Sequence, residues 1–439
     1  ATLVQGLPAY PSLAAIGAPV DLAIVALPAA AAEGDPVSGG ILRVSMGVQE
    51  MADPALFDWV EKSNQARHIV EYLAYTGPDN ITRPYLAESW EPSDDLKTWT
   101  FRLRKGVKFN NGDDFTADDV VFNFKRWLDP KTGSSNIGLF SGLTEEYDTG
   151  EKDAEGKPKM GQRERPGAVE KVDDHTVRLN FAKAILSVPE NLYNYPTAML
   201  HRDFEKNGKD LSKWPVGTGP YKFENWQKGS AVTLVKWDGY RKPDLINIKR
   251  ATFRFINDPA AQVAALLAGD IDGFPRFSAL QSLKQFQGDK RFAVEIGSTA
   301  GKGLLALNNK RKPFDDVRVR RAISHAIDRQ AFINGVLEGL GKPIGSHSAP
   351  TDVGYLDLTG LYPYSVEKAR TLLTAAGITS PINVTLTLPP PDYARRGGEV
   401  VAAMLAKVGI NCKIENVEWA QWLSGPFRGQ FDMTIINHV

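Results

Sequence analysis

One cysteine and six histidines are the side chains of this sequence with the widest chemical repertoire. Cys412 has no second cysteine to pair with, which excludes an intramolecular disulfide and the usual Cys/His zinc arrangements. It falls in INCKIE, an alternating stretch, and is expected as buried filler of a strand. His68, His175, His201, His325, His347 and His438 share no HxxxH or HExxH spacing, so no two imidazoles stand one helical turn apart for a metal. There is no Gly-x-Ser-x-Gly elbow, no Walker loop and no His–carboxylate pair at a telling spacing. VGTGPY (216–221) is glycine-rich but lacks the Gly-Lys-Ser/Thr ending and a following helix, so it is not a phosphate loop. No catalytic residue, metal or cofactor is therefore expected. A hydrolase with a triad scattered along the chain stays as the alternative.

Arg395 and Arg396 open a helix after a Pro-rich loop, where they could grip an anionic group. The helix dipole disfavours arginine in a first turn, which suits a use other than helix stability; solvated surface charge is the plain alternative. The loop GVQEMADPALF (47–57) follows an early strand, at the end where loops face a ligand in open α/β sheets. Met51 and Asp53 are the candidates there, against simple loop packing. Arg67-His68, on an expected helix, reads as surface.

The chain has 439 residues, too many for one hydrophobic core, so two or more domains are expected. Apolar residues make up 42% and charged residues 24%, which is globular composition and excludes a disordered or fibrous chain. Lys plus Arg equals Asp plus Glu at 52 each, so the basic excess of a nucleic-acid binder is missing and no nucleic-acid partner is expected. No apolar run reaches the roughly 18 residues of a membrane span.

The elements that must position these residues begin at ILRVSMG (41–47), an alternating strand. QARHIVEYLAY (65–75) has helical apolar spacing through Ile69 and Leu73. In LKTWTFRLRKGVKF (96–109), Trp99, Phe101 and Leu103 fall on one face of a strand and Thr100, Arg102 and Arg104 on the other. Thr116-Ala117-Asp118-Asp119 reads as a capping-box variant opening a helix with an apolar stripe through Val120, Phe124 and Trp127. Residues 144–167 are charged and rich in Gly, and read as a surface loop; VEKVDDHTVRLNF then folds back as a hairpin. Strand–helix alternation follows: IKRATFRFI, a helix capped near Asp258 and ended at Gly269, and KGLLALNN. One long helix from FDDVRVRRAISHAIDRQAFINGVL comes next, then a helix between Ser365 and Gly377. INVTLTL, a helix ending at Gly409, CKIENVEW and FDMTIINHV complete it. Such alternation predicts an α/β lobe with a mixed sheet.

AESWEPSDDLKTWTFRLRKGVKFNNGDDFTADDVVFNFKR (87–126) resembles the signature region of the family 5 extracellular solute-binding proteins, the dipeptide- and oligopeptide-binding components of bacterial ABC transporters. VGTGPYKFENW, WDGY (237–240), LNNKRKPFDDVRVRRAISHAIDR (307–329) and VGINCKIENVEW are similar to the same family, in its order, and the resemblance covers about 40–439. It implies an α/β, two-lobed periplasmic binding protein fold, type II-like, with an extra small subdomain in the first lobe. Lobe one would be 39–256 with its subdomain about 99–200, and lobe two 257–439. It implies a monomer that closes over a peptide or other small polar solute and hands it to a membrane permease. Trp419 matches a pocket-lining tryptophan of the oligopeptide binders. His438 stands where those members have a pocket tryptophan, and Asn437 departs from their glycine. The arginine that grips a dipeptide's carboxylate has its place in LTLPPP and is absent.

Residues 1–38 are expected to be an atypical leader or fusion scar. LAIVALPAAAAEG has the apolar run and small-residue end of a signal peptide without a positive n-region. With no cysteine nearby for a lipid anchor, a periplasmic protein is expected. Residues 1–32 also resemble a fragment of the CoA-binding domain of ADP-forming acyl-CoA synthetases, which implies CoA binding as a further alternative. At the other end, the strand FDMTIINHV closes on no further element, and a missing C-terminal segment is expected.

Overall fold

The computed structural model describes residues 24–28, 40–47, 51–57, 60–77, 79, 81–152, 156, 158–274, 277, 279–296, 301–350, 352, 354–418, 421–422 and 425–438. The chain divides into two compact units. Among the described residues, the first takes in those up to 274, with 286–296, and the second takes in 277, 279–285 and those from 301 on. The first unit thus runs past Asn257 and includes the Pro259–Leu267 helix.

In the first unit, Tyr221–Gln227, Ala231–Lys236, Arg250–Phe255 and Ile41–Met46 form one sheet in that order. The first three are antiparallel, and Arg250–Phe255 pairs parallel with Ile41–Met46. Val232, Leu234, Phe253 and Met46 line its buried face with Ile69, Tyr72 and Phe204. A second, antiparallel sheet consists of Ala87–Pro92, Thr98–Leu103, Thr176–Asn180 and Val169–Asp173. The expected alternation holds there: Trp99, Phe101 and Leu103 are buried together with Val120, Phe124 and Trp127 of the Ala117–Leu128 helix. That helix starts where expected, with the Thr116 N–H donating to Asp119 Oδ2 at 2.9 Å. Ile24–Pro28 forms a strand antiparallel to Phe292–Ile296; the rest of residues 1–32 lies outside the described residues.

Two expectations about this unit need correction. Residues 144–167 are not a plain loop: Thr144–Lys152 and Pro158–Glu164 pair as an exposed antiparallel ribbon. Opposite charges meet across the ribbon, Lys159 with Glu151 at 2.8 Å and Arg163 with Glu145 at 2.8 Å, each exposed pair adding a little to the pairing. Nor is 65–75 a helix. The Val60–Ala66 helix ends at Ala66, and Ala74–Thr76 is a strand. The carbonyls of His68 and Ile69, which a helix would use, accept instead from the Tyr221 N–H (3.0 Å) and the Gly219 N–H (2.8 Å).

The second unit is a mixed sheet in the order Lys302–Leu307, Met433–His438, Ile382–Leu388, Ile410–Asn416. The last three strands run parallel and the first antiparallel to its neighbour. The Val317–Ala326, Val366–Ala375 and Asp392–Ala406 helices share the apolar core around Leu386, Leu405, Ile410 and Met433. Ser365 caps as expected, its side chain accepting from the Lys368 N–H at 3.1 Å. The long helix expected over 314–337 is two: Val317–Ala326 and Arg329–Val336. Ile327 is extended and Asp328 opens the second helix, its carboxylate accepting from the Ala331 N–H at 2.9 Å.

Candidate functional site

Parallel strands put their carboxyl ends on one edge, and in open α/β sheets that edge is where ligands bind. The second unit has such an edge. The carboxyl ends of Ile382–Leu388, Ile410–Asn416 and Met433–His438 lie there, and the antiparallel Lys302–Leu307 brings its first residue to the same place, opposite His438. The Asp392–Ala406 helix starts from this edge after Pro389–Pro391. It packs closely because Gly398 has no side chain: a Cβ there would stand 2.2 Å from Leu388 Cδ1.

This edge gathers several of the candidates. Asn437 is half-buried, and its backbone N–H donates to Tyr393 Oη at 3.3 Å. Arg395 Nη2 reaches Glu418 Oε1 at 3.3 Å, a carboxylate that is 83% exposed, so the pair is weak. Its Nε is buried with no partner among the described residues. Arg396 donates from Nη2 to the Gly335 carbonyl at 3.3 Å and lies 4.0 Å from Glu338 Oε1. His438 contributes backbone to the strand, and its side chain lies outside the described residues, as does all of Trp419. Trp422, three residues on, is buried and donates from Nε1 to Thr434 Oγ1 at 3.1 Å. Sequence reasoning passed over Tyr393 and Lys302; the one available cue was a lysine opening the otherwise apolar strand KGLLAL.

The first unit has the corresponding edge where Ile41–Met46 and Arg250–Phe255 end side by side. Met51 is fully buried in the core beneath it. Asp53 is 7% exposed, and both its oxygens are committed: Oδ1 accepts from the Ala55 N–H at 3.1 Å, and Oδ2 pairs with Arg126. Arg126 is itself buried and also reaches Glu205 Oε1 at 3.1 Å. Gln65 Nε2 donates to Met46 Sδ at 3.2 Å, while Gln65 Oε1 and Ser45 Oγ are buried without a partner among the described residues. Met51 and Asp53 thus hold the loop's interior, and Ser45 and Gln65 carry the unspent polar atoms nearby.

Behind this edge, Arg67-His68 is half-buried rather than surface. Arg67 Nη1 donates to Tyr193 Oη at 2.8 Å, with its guanidinium over the Tyr72 and Tyr193 rings. Burial first, and then the Arg67 charge, push the His68 imidazole down to about 4. The Glu71 carboxylate is fully enclosed, pairs with Arg241 and accepts from Tyr240 Oη at 3.0 Å. VGTGPY seats against this segment: a Cβ on Gly217 would fall 2.0 Å from the Ile69 carbonyl oxygen. That close approach is what its glycines serve. Cys412 is half-buried, and desolvation pushes its thiol up to about 11, which keeps it protonated at neutral pH. Among the described residues no group of three or more His, Cys, Asp or Glu could hold a metal, and no helix is long and apolar enough to cross a membrane.

Fold and edges together define an α/β solute-binding protein. Residues 82–439 match the bacterial extracellular solute-binding proteins, family 5 Middle, and the chain belongs to that family. It is 32% identical over 378 residues to di/tripeptide-binding protein 1 of Pseudomonas aeruginosa, covering 81% of this chain and 67% of that protein. It is 33% identical over 373 residues to heme-binding protein A of Haemophilus influenzae, covering 81% of this chain and 65% of that one. The chain thus spans about two thirds of the length of these relatives. Among solved structures it is similar to the ABC transporter-associated periplasmic binding protein DppA of Helicobacter pylori, in complex with the peptide STSA. The TM-score is 0.78 at 28% identity, over 92% of this chain and 78% of that one.

Proposed function

We propose that this chain is the periplasmic substrate-binding component of an ABC importer, which captures a peptide or similar polar solute and delivers it to the membrane permease without catalysing a reaction. The likeness to a peptide-bound relative over nearly the whole chain carries this reading. The carboxyl edge of the second unit supports it with a short stretch of polar groups suited to a peptide's main chain and ends, among them the Arg395 guanidinium, Asn437 and the His438 backbone; Trp419 stays a candidate on its place in the sequence. Met51 and Asp53 contribute by fixing the shape of the loop at the first unit's edge. Native mass spectrometry of the purified protein tests it. A monomer carrying a mass that fits a short peptide, exchangeable with added Ala-Ala-Ala, is expected. Hydrolysis of that peptide, abolished by a single substitution, would replace a binding protein with an enzyme.

A further inference from the structure

The carboxyl edge of the second unit's sheet holds a lysine whose charge is not saturated. Lys302 opens its strand opposite His438, and its side chain is only 9% exposed. An ammonium so enclosed loses most of its hydration and is ordinarily compensated by close acceptors. Among the described residues its one charged neighbour is Asp352, with Nζ 3.6 Å from Oδ2, outside hydrogen-bond range. That same oxygen already accepts from the Ala349 N–H at 2.7 Å.

Of the other cations of this edge, Arg396 donates to the Gly335 carbonyl and Arg395 to the exposed Glu418 carboxylate, each at 3.3 Å, while Lys302 has no side-chain hydrogen-bond partner among the described residues. Leu386–Pro391, at the end of the next strand but one, supplies no cation. Two strand spacings, about 10 Å, separate that end from Lys302. Next to Lys302 the strand surface carries no bulk, because Gly303 faces Asn437.

We propose that Lys302 is the cation that reads a carboxylate of the bound peptide, an assignment that rests on the peptide-binding reading above. An arriving carboxylate completes the shell that Asp352 leaves open, forming a charge-assisted hydrogen bond in a site already stripped of most water. A neutral amide in its place leaves the ammonium as poorly compensated as before. The carboxylate comes either from the peptide's C-terminus or from an acidic side chain.

Calorimetric titration of the full chain with two probe pairs tests this. One pair is Ala-Ala-Ala and its C-terminal amide; the other is Ala-Glu-Ala amide and Ala-Gln-Ala amide. The wild type is expected to prefer the carboxylate member of one pair by about tenfold; which pair responds locates the carboxylate. Lys302→Met should reduce that preference to less than about twofold, and Lys302→Arg should keep part of it. An unchanged preference in Lys302→Met, or no preference in either pair by the wild type, overturns the assignment. If none of the four probes binds the wild type, the peptide reading itself fails and Lys302 falls with it. Should Lys302→Met not fold, Asp352→Asn removes the competing charge while keeping an acceptor for Ala349. It should tighten the preferred carboxylate probe about threefold, and no change would overturn the proposal.

Discussion

Asp53 is where a solute contact and a structural ion pair make opposite forecasts. Asp53→Asn keeps an oxygen to accept from the Ala55 N–H but removes the charge that faces Arg126, a residue only 4% exposed along its side chain. Stripping one partner from a buried pair costs about 3–5 kcal/mol. Arg126 retains Glu205 at 3.1 Å and the Phe204 ring at 5.2 Å, and Glu205 is partly exposed at 37%. The residual partner lowers the expected loss to about 2–4 kcal/mol. For a unit of this size that is a fall in unfolding midpoint of about 5–15 °C. Asp53→Ala adds about 1 kcal/mol by deleting the cap as well. Adding Arg126→Met to Asp53→Asn should restore about 2 kcal/mol, because the charge left unpaired is removed with it. Urea denaturation followed by tryptophan fluorescence measures the first quantity, and calorimetric titration with Ala-Ala-Ala measures binding in parallel. If Asp53→Asn unfolds within about 0.5 kcal/mol of wild type yet binds about tenfold more weakly, the carboxylate serves the solute and the ion-pair argument is refuted.

Three further outcomes follow from the same structure. The His68 imidazole titrates near 4 when folded and near its ordinary 6.5 when unfolded, so the unfolded chain takes up the proton first. Stability from this group is full above pH 6.5 and falls by up to about 1.4 kcal/mol per pH unit on the way down to 4. Urea midpoints of His68→Phe should be flatter than wild type across that window, and parallel curves would sink the claim. Gly217→Ala forces a Cβ onto the Ile69 carbonyl and should cost about 3 kcal/mol, whereas Gly138→Ala, with open space around it, should lie within about 0.5 kcal/mol of wild type; equal effects would remove the close-packing explanation of VGTGPY. Asp328→Ala deletes the cap that starts the Arg329–Val336 helix and should cost about 1 kcal/mol by urea denaturation. No loss there would mean that the break at Ile327 is set elsewhere.

Where local periodicity and tertiary packing agreed, the fold could be read before it was seen. Trp99, Phe101 and Leu103 alternate inward because one face of that strand meets the apolar cluster with Val120, Phe124 and Trp127, and Asp258, Ser365, Gly377 and Gly409 mark helix ends by their own side chains or positive φ. The failures share a cause, which is a partner far along the chain. Ile69 and Leu73 have helical spacing, but the carbonyls that would sustain a helix are claimed by the Gly219 and Tyr221 N–H groups, and nothing within 65–75 announces that. The charged 144–164 stretch reads as loop until its two halves are laid side by side, when Glu145 faces Arg163 and Glu151 faces Lys159. The apolar stripe of 314–337 runs through Asp328 without interruption, so a cap that was visible in the sequence lost to a pattern that was longer.

The site divides along the same line. Asn437 and the Arg395 helix could be proposed because the strand and the helix that carry them are locally legible, and topology brings them to one sheet edge. Met51 and Asp53 were also placed correctly in the chain, at the end of a strand, yet chain position does not say which way a side chain turns. The Arg126 guanidinium turns Asp53 inward, and Arg126 lies on a helix that the loop sequence gives no reason to expect nearby. Lys302 is the converse. Its strand pattern gives no hint of a role, and the proposal for it arises only when antiparallel pairing sets it opposite His438 and leaves it 3.6 Å from Asp352, its one ion-pair partner among the described residues. A charge becomes a recognition element through what fails to neutralise it, and that is a property of the folded neighbourhood rather than of the residue.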